Sequence, residues 1–394
     1  MKRFQLLKFF TFNFLATLLF SCQSSGTKEA PSSTPSTASW YDYMQDLAHV
    51  FVEISPALVS RNSFERLAAK SSFKDRAQTL ENISGKIASY EERPHFDPTL
   101  SLVSAEFDSN IRLASQALKK NNFDEAFARF KLTQSYCIAC HTLLESQGDA
   151  FLGFDLTPAS KDLNPFEKGD LWIVLRRFSE ALKEYEKGLK ENLAKDPVVW
   201  RLYFEKLMIL SVRVFKDPSL SMEFVSYFID SKSFPDTETE GRGRLWRAAL
   251  SQWRNEESKK SKTAPKDPLA TVETLLNQGL SEKSNSSNLT LSVYRASSLL
   301  HESLAKGGKL AKSAKALYLA GKISEIETPV NLNGVLPLGY YERCILSEPG
   351  SSFALKCFSQ LEAWLKNSKA SGLPTPSAAT LLRLKFLGSK ARGV

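Results

Sequence analysis

The stretch NFDEAFARFKLTQSYCIACHTLLES, at residues 122–146, carries the pattern on which the fold prediction depends. Its apolar residues recur every three or four positions, which is typical of a helix with one buried face. The residues that follow this repeat are Phe123, Ala126, Phe127, Phe130, Leu132, Cys137, Cys140, Leu143 and Leu144. Because positions i, i+3 and i+4 share a helix face, we expect Cys137, Cys140 and His141 to lie together near the C-terminal end of this helix.

The spacing Cys-x-x-Cys-His at residues 137–141 is that of a covalent c-type haem attachment site. Two thioether bonds to a porphyrin need two cysteines about one helical turn apart, and a histidine beside them can reach the iron. We therefore predict that Cys137 and Cys140 hold one haem c and that His141 is the proximal iron ligand.

Three other uses of the same residues are a local disulfide, a thiol-redox pair and half of a zinc site. A thiol-redox CxxC normally follows a strand at the N-terminal end of a helix, whereas this one comes late in a helical stretch. Zinc would need two more ligands, and the chain has four histidines in total and no second CxxC. The haem prediction is therefore preferred.

The N-terminus has the pattern of an export signal. Three basic residues in the first eight precede an apolar run at residues 9–20, which is too short for an ordinary membrane-spanning helix. The following Leu19-Phe20-Ser21-Cys22 resembles the lipobox of bacterial lipoproteins, in which the cysteine becomes the lipid-bearing mature N-terminus. The resemblance implies a signal peptide at residues 1–21 and lipidation of Cys22. Cleavage by an ordinary signal peptidase and an uncleaved anchor are the alternatives.

The segment behind the signal suggests a tethered protein. Residues 22–39 are rich in Ser, Thr and Pro and predict a flexible linker. Gln23, by resemblance to enterobacterial sorting, favours the outer membrane over the inner membrane. Since haem attachment of this type takes place outside the cytoplasm, we expect a cell-envelope lipoprotein that faces the periplasm.

Residues 40–150 predict four helices with short links. The helices are expected at about residues 39–58, 72–90 and 99–120, with the haem-bearing stretch as the fourth. Short links favour antiparallel neighbours, so the predicted object is a four-helix bundle.

A four-helix bundle with CxxCH near the end of its fourth helix resembles the cytochrome c-prime family. The stretch YDYMQDLAHVFVEISPALV, Tyr41–Val59, also resembles that family's first helix, and the likeness covers only residues 40–150. The resemblance implies that one residue of the first helix sits over the distal face of the haem, and the shared aromatic, Ser or Thr and proline pattern places Met44 there. Members with leucine at this position bind small gases at a five-coordinate iron, whereas low-spin relatives coordinate the iron through methionine.

Met44 therefore decides between two mechanisms. A thioether axial ligand raises the haem potential and closes the site, which favours electron transfer. Alternatively, Met44 only fills the core, since methionine suits irregular gaps. His49 lies on the same helix, but its offset points it away from the face of Met44. The chain also departs from the family at Glu145, where members usually have a basic residue.

The rest of the chain predicts a second helical domain at residues 166–367, between a linker at 151–165 and a tail at 368–394. The run RFSEALKEYEKGL, at 177–189, resembles the second helix of a tetratricopeptide unit, with Ala181 at the close-packed position. No strict period of about 34 residues follows, so we expect a degenerate helical-repeat array. Such arrays usually dock proteins or peptides, and a rigid scaffold without a specific partner is the alternative.

Cys344 and Cys357 remain once the lipid and haem cysteines are assigned. Cysteines in an oxidising compartment tend to pair. Residues 338–365 predict two helices joined by a turn at Glu348–Ser351, which places the two cysteines on facing helices. A disulfide there is expected to contribute roughly 2 to 3 kcal/mol. Two buried thiols are the alternative.

The charge pattern gives little support to nucleic-acid binding. The formal net charge is +9, but the basic residues are scattered along helical segments rather than gathered in one stripe. The sequence also shows no hydrolase constellation, no Gly-rich phosphate loop and no second haem motif. We therefore expect an electron carrier or a binding protein rather than an enzyme.

Together these patterns predict an all-α, lipid-anchored, monohaem c-type cytochrome: a four-helix bundle joined to a tetratricopeptide-like array. Its predicted role is electron transfer, with an unidentified redox or envelope protein docking on the array and the lipid binding the membrane. A haem-based gas-binding or sensor protein with an open distal site is one alternative. The other is an envelope scaffold or assembly protein in which haem is structural.

Overall fold

The computed structural model describes residues 39–90, 97–143, 160–161, 163–259, 267–283, 291–327, 335–370 and 378–394. These residues form seventeen helices and include no strand, which confirms the all-α prediction. The chain from Ala38 to Val394 is one compact unit. The predicted signal peptide, Cys22 and nearly all of the first linker lie outside the described residues, as does most of the linker at 151–165.

The N-terminal part contains five helices: α1 (Trp40–Ile54), α2 (Arg61–Ala68), α3 (Ser71–Ser89), α4 (Pro98–Lys119) and α5 (Phe123–Leu143). Ser39 begins α1 with a capping box, in which its side chain accepts from the Asp42 N–H while the Asp42 carboxylate accepts from the Ser39 N–H. Helix α1 ends at Ile54 and a 3-10 turn, Ser55–Leu58, follows it.

Helix α2 is absent from the sequence prediction. It is only eight residues long, and its buried side chains are those of Phe64 and Ala68. Ser60 caps it by accepting a hydrogen bond from the Ser63 N–H. Two apolar positions give too short a periodicity to indicate a helix on their own, so the prediction placed a loop here.

The other four helices of this part pack in the order in which they occur. Helix α1 packs on α3, α3 on α4, and α4 on α5, while α2 lies against α5. The fully buried residues between them include Phe51, Ile54, Leu80, Ile111 and Phe130. These positions are the apolar repeat of the sequence, so its spacing decides which face of each helix is buried.

The described residues after α5 form twelve further helices: α6 (Pro165–Val174), α7 (Phe178–Lys190), α8 (Pro197–Ile209), α9 (Pro218–Asp230), α10 (Thr237–Lys259), α11 (Pro268–Lys283), α12 (Leu291–Ala305), α13 (Gly308–Ala311), α14 (Ala314–Glu327), α15 (Val335–Ser347), α16 (Ser352–Ala370) and α17 (Ala378–Arg392). Helix α8 continues into a π-helical turn, Leu210–Val214. Neighbouring helices pair along the chain, with α6 on α7, α9 on α10, α11 on α12, and α14 on α15.

The α6–α7 pair packs closely through small residues. Ala181 is fully buried, and a Cβ added at Gly169 would lie 2.4 Å from the Tyr185 ring. The run RFSEALKEYEKGL begins at the N-cap of α7 and forms its first three turns. The run therefore lies on the second helix of the α6–α7 pair.

The two parts of the chain share a core. Helix α5 packs on α6 and α12, and α4 packs on α15. Where α4 packs on α15, there is a buried polar cluster. It joins Asp97 and Thr99, at the start of α4, to His301 on α12 and Tyr340 on α15. The His301 Nδ1–H donates to Asp97 Oδ2 over 2.7 Å, and the Thr99 and Tyr340 hydroxyls are hydrogen bonded to each other.

The C-terminal segment also belongs to this core. Cys344 on α15 and Cys357 on α16 are joined by a disulfide with a Cα–Cα distance of 6.4 Å. The stretch that the sequence analysis treats as a tail, 368–394, contains α17, which packs on α15 and α16 and buries Leu387 and Ala391. None of the described helices has the length and apolar character needed to cross a membrane.

Candidate functional site

A cavity of about 510 Å³, part of it open to solvent, lies among α1, α3, α4 and α5. The lining residues are Trp40, Met44, Leu47, Ala48, Ile87, Leu100, Val103, Ser104, Phe107, Tyr136, Cys137, Cys140, His141 and Val174. This wall is almost wholly apolar, as a site for a flat hydrophobic cofactor requires.

The cavity brings together all four residues that the sequence analysis assigns to haem. Cys137, Cys140 and His141 line it from the last turns of α5, and Met44 lines it from α1. Cys344 and Cys357 form their disulfide elsewhere, and Cys22 lies outside the described residues.

The other two positions that the sequence analysis discusses do not line the cavity. His49 is exposed on α1 and is not among the lining residues, in agreement with its offset from Met44. Glu145 lies beyond the end of α5, outside the described residues.

His141 is held by a hydrogen bond that it donates to a neighbouring helix. Its Nδ1 lies 3.0 Å from the carbonyl oxygen of Ile173 on α6. A carbonyl can only accept, so Nδ1 carries the proton and Nε2 is the ring nitrogen whose lone pair can bind a metal. Metal-ligating histidines usually donate their other ring N–H in this way, which fixes the tautomer and the ring orientation.

The local electrostatics also keep His141 neutral. Burial, with a smaller effect of the Arg176 charge, lowers the pKa of His141 to about 4. Neutral imidazole is the form that binds metals.

Cys137 and Cys140 are thiols in apolar surroundings. They are not bonded to each other, and burial raises the pKa of each to about 12. A redox-active CxxC has the opposite character, since its reactive thiol has a lowered pKa at a helix N-terminus. Here Cys137 is buried and Cys140 half-buried near the C-terminal end of a helix, which argues against a thiol-redox pair.

Three residues at this site are not predicted from the sequence: Tyr136, Ile173 and Val174. Tyr136 lines the cavity one residue before Cys137, and burial, with a smaller effect of the Glu106 charge, raises its pKa to about 12. Its position beside the motif is a signal that could have been read. Ile173 and Val174 come from α6, and nothing in the sequence connects them with residues 137–141.

The path of the chain explains how α6 reaches the site. Asn164 begins α6 with a capping box, accepting from the N–H groups of Phe166 and Glu167, and Pro165 occupies the first helical position. The helix ends at Val174, and Arg176 then adopts a left-handed φ of 58°. The last turn of α6 therefore lies against α5 at His141.

No protein-family model, curated protein or solved structure matches this chain. Among the described residues, no group of three or more His, Cys, Asp or Glu side chains is placed to hold a metal ion by itself. A haem iron needs no such group, because the porphyrin supplies four nitrogen ligands and the protein only the axial ones.

Proposed function

We propose that this protein is a monohaem c-type cytochrome that transfers electrons. Cys137 and Cys140 would hold the haem covalently, and His141 would bind the iron through Nε2. The observation that carries the proposal is the hydrogen bond from the His141 Nδ1–H to Ile173, inside an apolar cavity that both cysteines line. A sequence motif found by chance would not be expected to combine an apolar cavity with an oriented histidine.

The residues present fit a haem. When bound, the group supplies one-electron chemistry between ferric and ferrous iron. The chain's own part is to exclude water from the ring with the apolar side chains of α1, α3 and α4, and to hold His141 in one tautomer. Met44 lines the cavity from α1 and would be the distal ligand. A methionine ligand favours electron transfer because it raises the potential and closes the iron to exogenous ligands.

The proposal includes a c-prime-like four-helix bundle made by α1, α3, α4 and α5, with α2 as an addition to it. The contacts of α1 with α3, of α3 with α4 and of α4 with α5 support it, as does the position of the motif at the end of the last of these helices. We further propose that α6 and the later helices form a degenerate tetratricopeptide-like array that docks a redox or envelope protein. The lipid on Cys22 would tether the protein to the envelope, with the outer membrane favoured.

The test is an absorption spectrum of the ferric and ferrous protein, with and without carbon monoxide, for the wild type, Met44→Ala and Leu47→Ala. Leu47 lines the same wall of the cavity but has no atom that can bind iron, so its variant controls for the space that the substitution opens. We expect a low-spin wild type and a low-spin Leu47→Ala. Met44→Ala should become high-spin and bind carbon monoxide readily.

A second function is supported by one specific observation. The cavity is partly open and Met44 is only half-buried, so an incoming ligand can reach the space beside it. A high-spin wild type that Met44→Ala leaves unchanged would show that methionine does not bind the iron, and would favour a gas-binding or sensor protein. The absence of covalent haem from the wild type would rule out both functions.

A further inference from the structure

The last helix, α17, has apolar residues all round and carries only positive charge. Its sequence, AATLLRLKFLGSKAR, contains four basic residues and no acidic one. Large apolar side chains of a helix normally face a neighbouring element of the protein. The array covers only one side of α17, so the exposed apolar residues on its other side require an explanation.

The inner face of α17 is fixed to the array. Leu387 and Ala391 are buried, and the helix approaches α16 so closely that a Cβ added at Gly388 would lie 2.8 Å from the Phe358 ring. The Gly350 N–H, in the turn between α15 and α16, donates to the Lys390 carbonyl over 3.1 Å. Helix α17 is therefore packed against α15 and α16 on this face.

The outer face of α17 consists of Leu382, Lys385, Phe386 and Lys390, which share one side of the helix because they are spaced i, i+3, i+4 and i+8. Leu382 is 67% exposed and Phe386 is 42% exposed. Lys385 is exposed, Lys390 is half-buried, and its ammonium lies 5.9 Å from the centre of the Phe386 ring. Two large apolar side chains one turn apart are thus flanked by two cations.

We infer that the outer face of α17 binds the surface of a membrane that contains anionic lipids. Exposed Leu and Phe side chains beside lysines are the pattern of a helix that lies in the lipid interface, with apolar groups among the acyl chains and ammonium groups at the phosphates. The membrane contact does not depend on haem.

Two other occupants fit the outer face less well. A second copy of the chain would bring the same lysines together across a two-fold axis, which like charges oppose. A folded protein partner needs a complementary surface of about 800 Å² on each side, and a single convex helix with two apolar side chains offers little of it. A lipid surface adapts to a convex shape and supplies phosphates for both lysines.

The test is hydrogen exchange of the α17 amides in the full chain, measured with and without vesicles. Phosphatidylglycerol and phosphatidylcholine vesicles are compared, so that attraction of the lysines to anionic headgroups is separated from the apolar contact alone. At a lipid concentration twice the half-saturating value, we expect phosphatidylglycerol vesicles to slow exchange of α17 about threefold. Phosphatidylcholine vesicles should have much less effect, because attraction of the lysines to phosphatidylglycerol adds to the apolar contact.

Two variants localise the contact. Leu382→Ser with Phe386→Ser should abolish the slowing by phosphatidylglycerol. Leu193→Ser with Leu245→Ser removes two leucines that are 47% and 53% exposed elsewhere on the surface, and should leave the slowing intact. Circular dichroism checks that both variants fold.

Three outcomes would overturn the inference. The first is exchange of α17 that phosphatidylglycerol vesicles do not slow in the wild type. The second is equal slowing in the Leu382→Ser, Phe386→Ser variant. The third is slowing of α17 exchange that increases with protein concentration in the absence of lipid, since α17 would then bind a second copy. Slowing of α17 exchange that appears only when an envelope protein is added counts in the same way, since α17 would then bind that protein.

Discussion

Two pairs of cysteines in the same chain have different surroundings, and the surroundings decide their chemistry. Cys137 and Cys140 are one helical turn apart on α5, where the helix holds both thiols on one wall of an apolar cavity. Cys344 and Cys357 lie on separate helices that face each other, and they form a disulfide. The first pair can accept two bonds from a ring, and the second is bonded within the protein.

The two pairs provide matched controls for each other. Cys137→Ser with Cys140→Ser should release the haem on acid–acetone extraction, because no thioether remains, while Cys344→Ser with Cys357→Ser should keep it. The second variant should instead lose about 2 to 3 kcal/mol of stability in urea, because its unfolded chain is no longer cross-linked. Haem that stays covalently bound to the first variant would contradict the assignment of the CxxCH motif.

At the scale of helices, periodicity in the sequence predicts those whose apolar residues repeat over three or more turns. Helices α3, α4 and α5 begin and end within a few residues of the expected positions. Helix α2 was missed because two buried residues make no periodic pattern. The contact between Ile173 and His141 could not be predicted either, because it joins residues 32 positions apart and depends on how α6 packs on α5.

The N-cap of α6 gives a test of that contact. Asn164→Ala removes a side chain that caps two N–H groups, and should cost about 1 kcal/mol of stability. Because α6 carries Ile173, the same variant should also shift the haem spectrum or the midpoint potential.

Asp217 is the matched control for Asn164. It caps α9 in the same way, with bonds from two N–H groups and a proline at the first helical position. Asp217→Ala should lose similar stability in urea and leave the haem unchanged. Equal effects of the two variants on the haem would show that α6 does not position His141.

At the scale of the whole molecule, the first five helices and the later ones are not independent. One hydrophobic cluster extends from Leu47 on α1 to Ala391 on α17. The buried cluster at the start of α4 adds polar contacts between segments about 200 residues apart in sequence, as in the 2.7 Å bond from His301 to Asp97. Sequence periodicity reveals each helix but not this shared core, because the partners are distant in the chain.

The bond between Asp97 and His301 should therefore stabilise the junction of the two parts. Breaking a buried, hydrogen-bonded ionisable pair by removing one partner typically costs about 3 to 5 kcal/mol, because the other partner is left buried without compensation. Asp97→Ala and His301→Ala should each cost an amount of this order in urea unfolding. The double variant should lose less free energy of unfolding than the two single variants together, by about 0.5 to 3 kcal/mol.

The pair Asp217→Ala with His301→Ala supplies the control, because Asp217 caps α9 and takes no part in the buried cluster. The losses in free energy of unfolding of these two single variants should add to within about 0.5 kcal/mol.

If the junction holds the molecule together, haem absorbance and far-UV circular dichroism should follow one transition in the wild type. They should separate in His301→Ala, because the first five helices then lose a buried contact with α12. Additive costs for Asp97 and His301 would mean that their hydrogen bond contributes nothing to the junction, and that apolar packing alone joins the two parts.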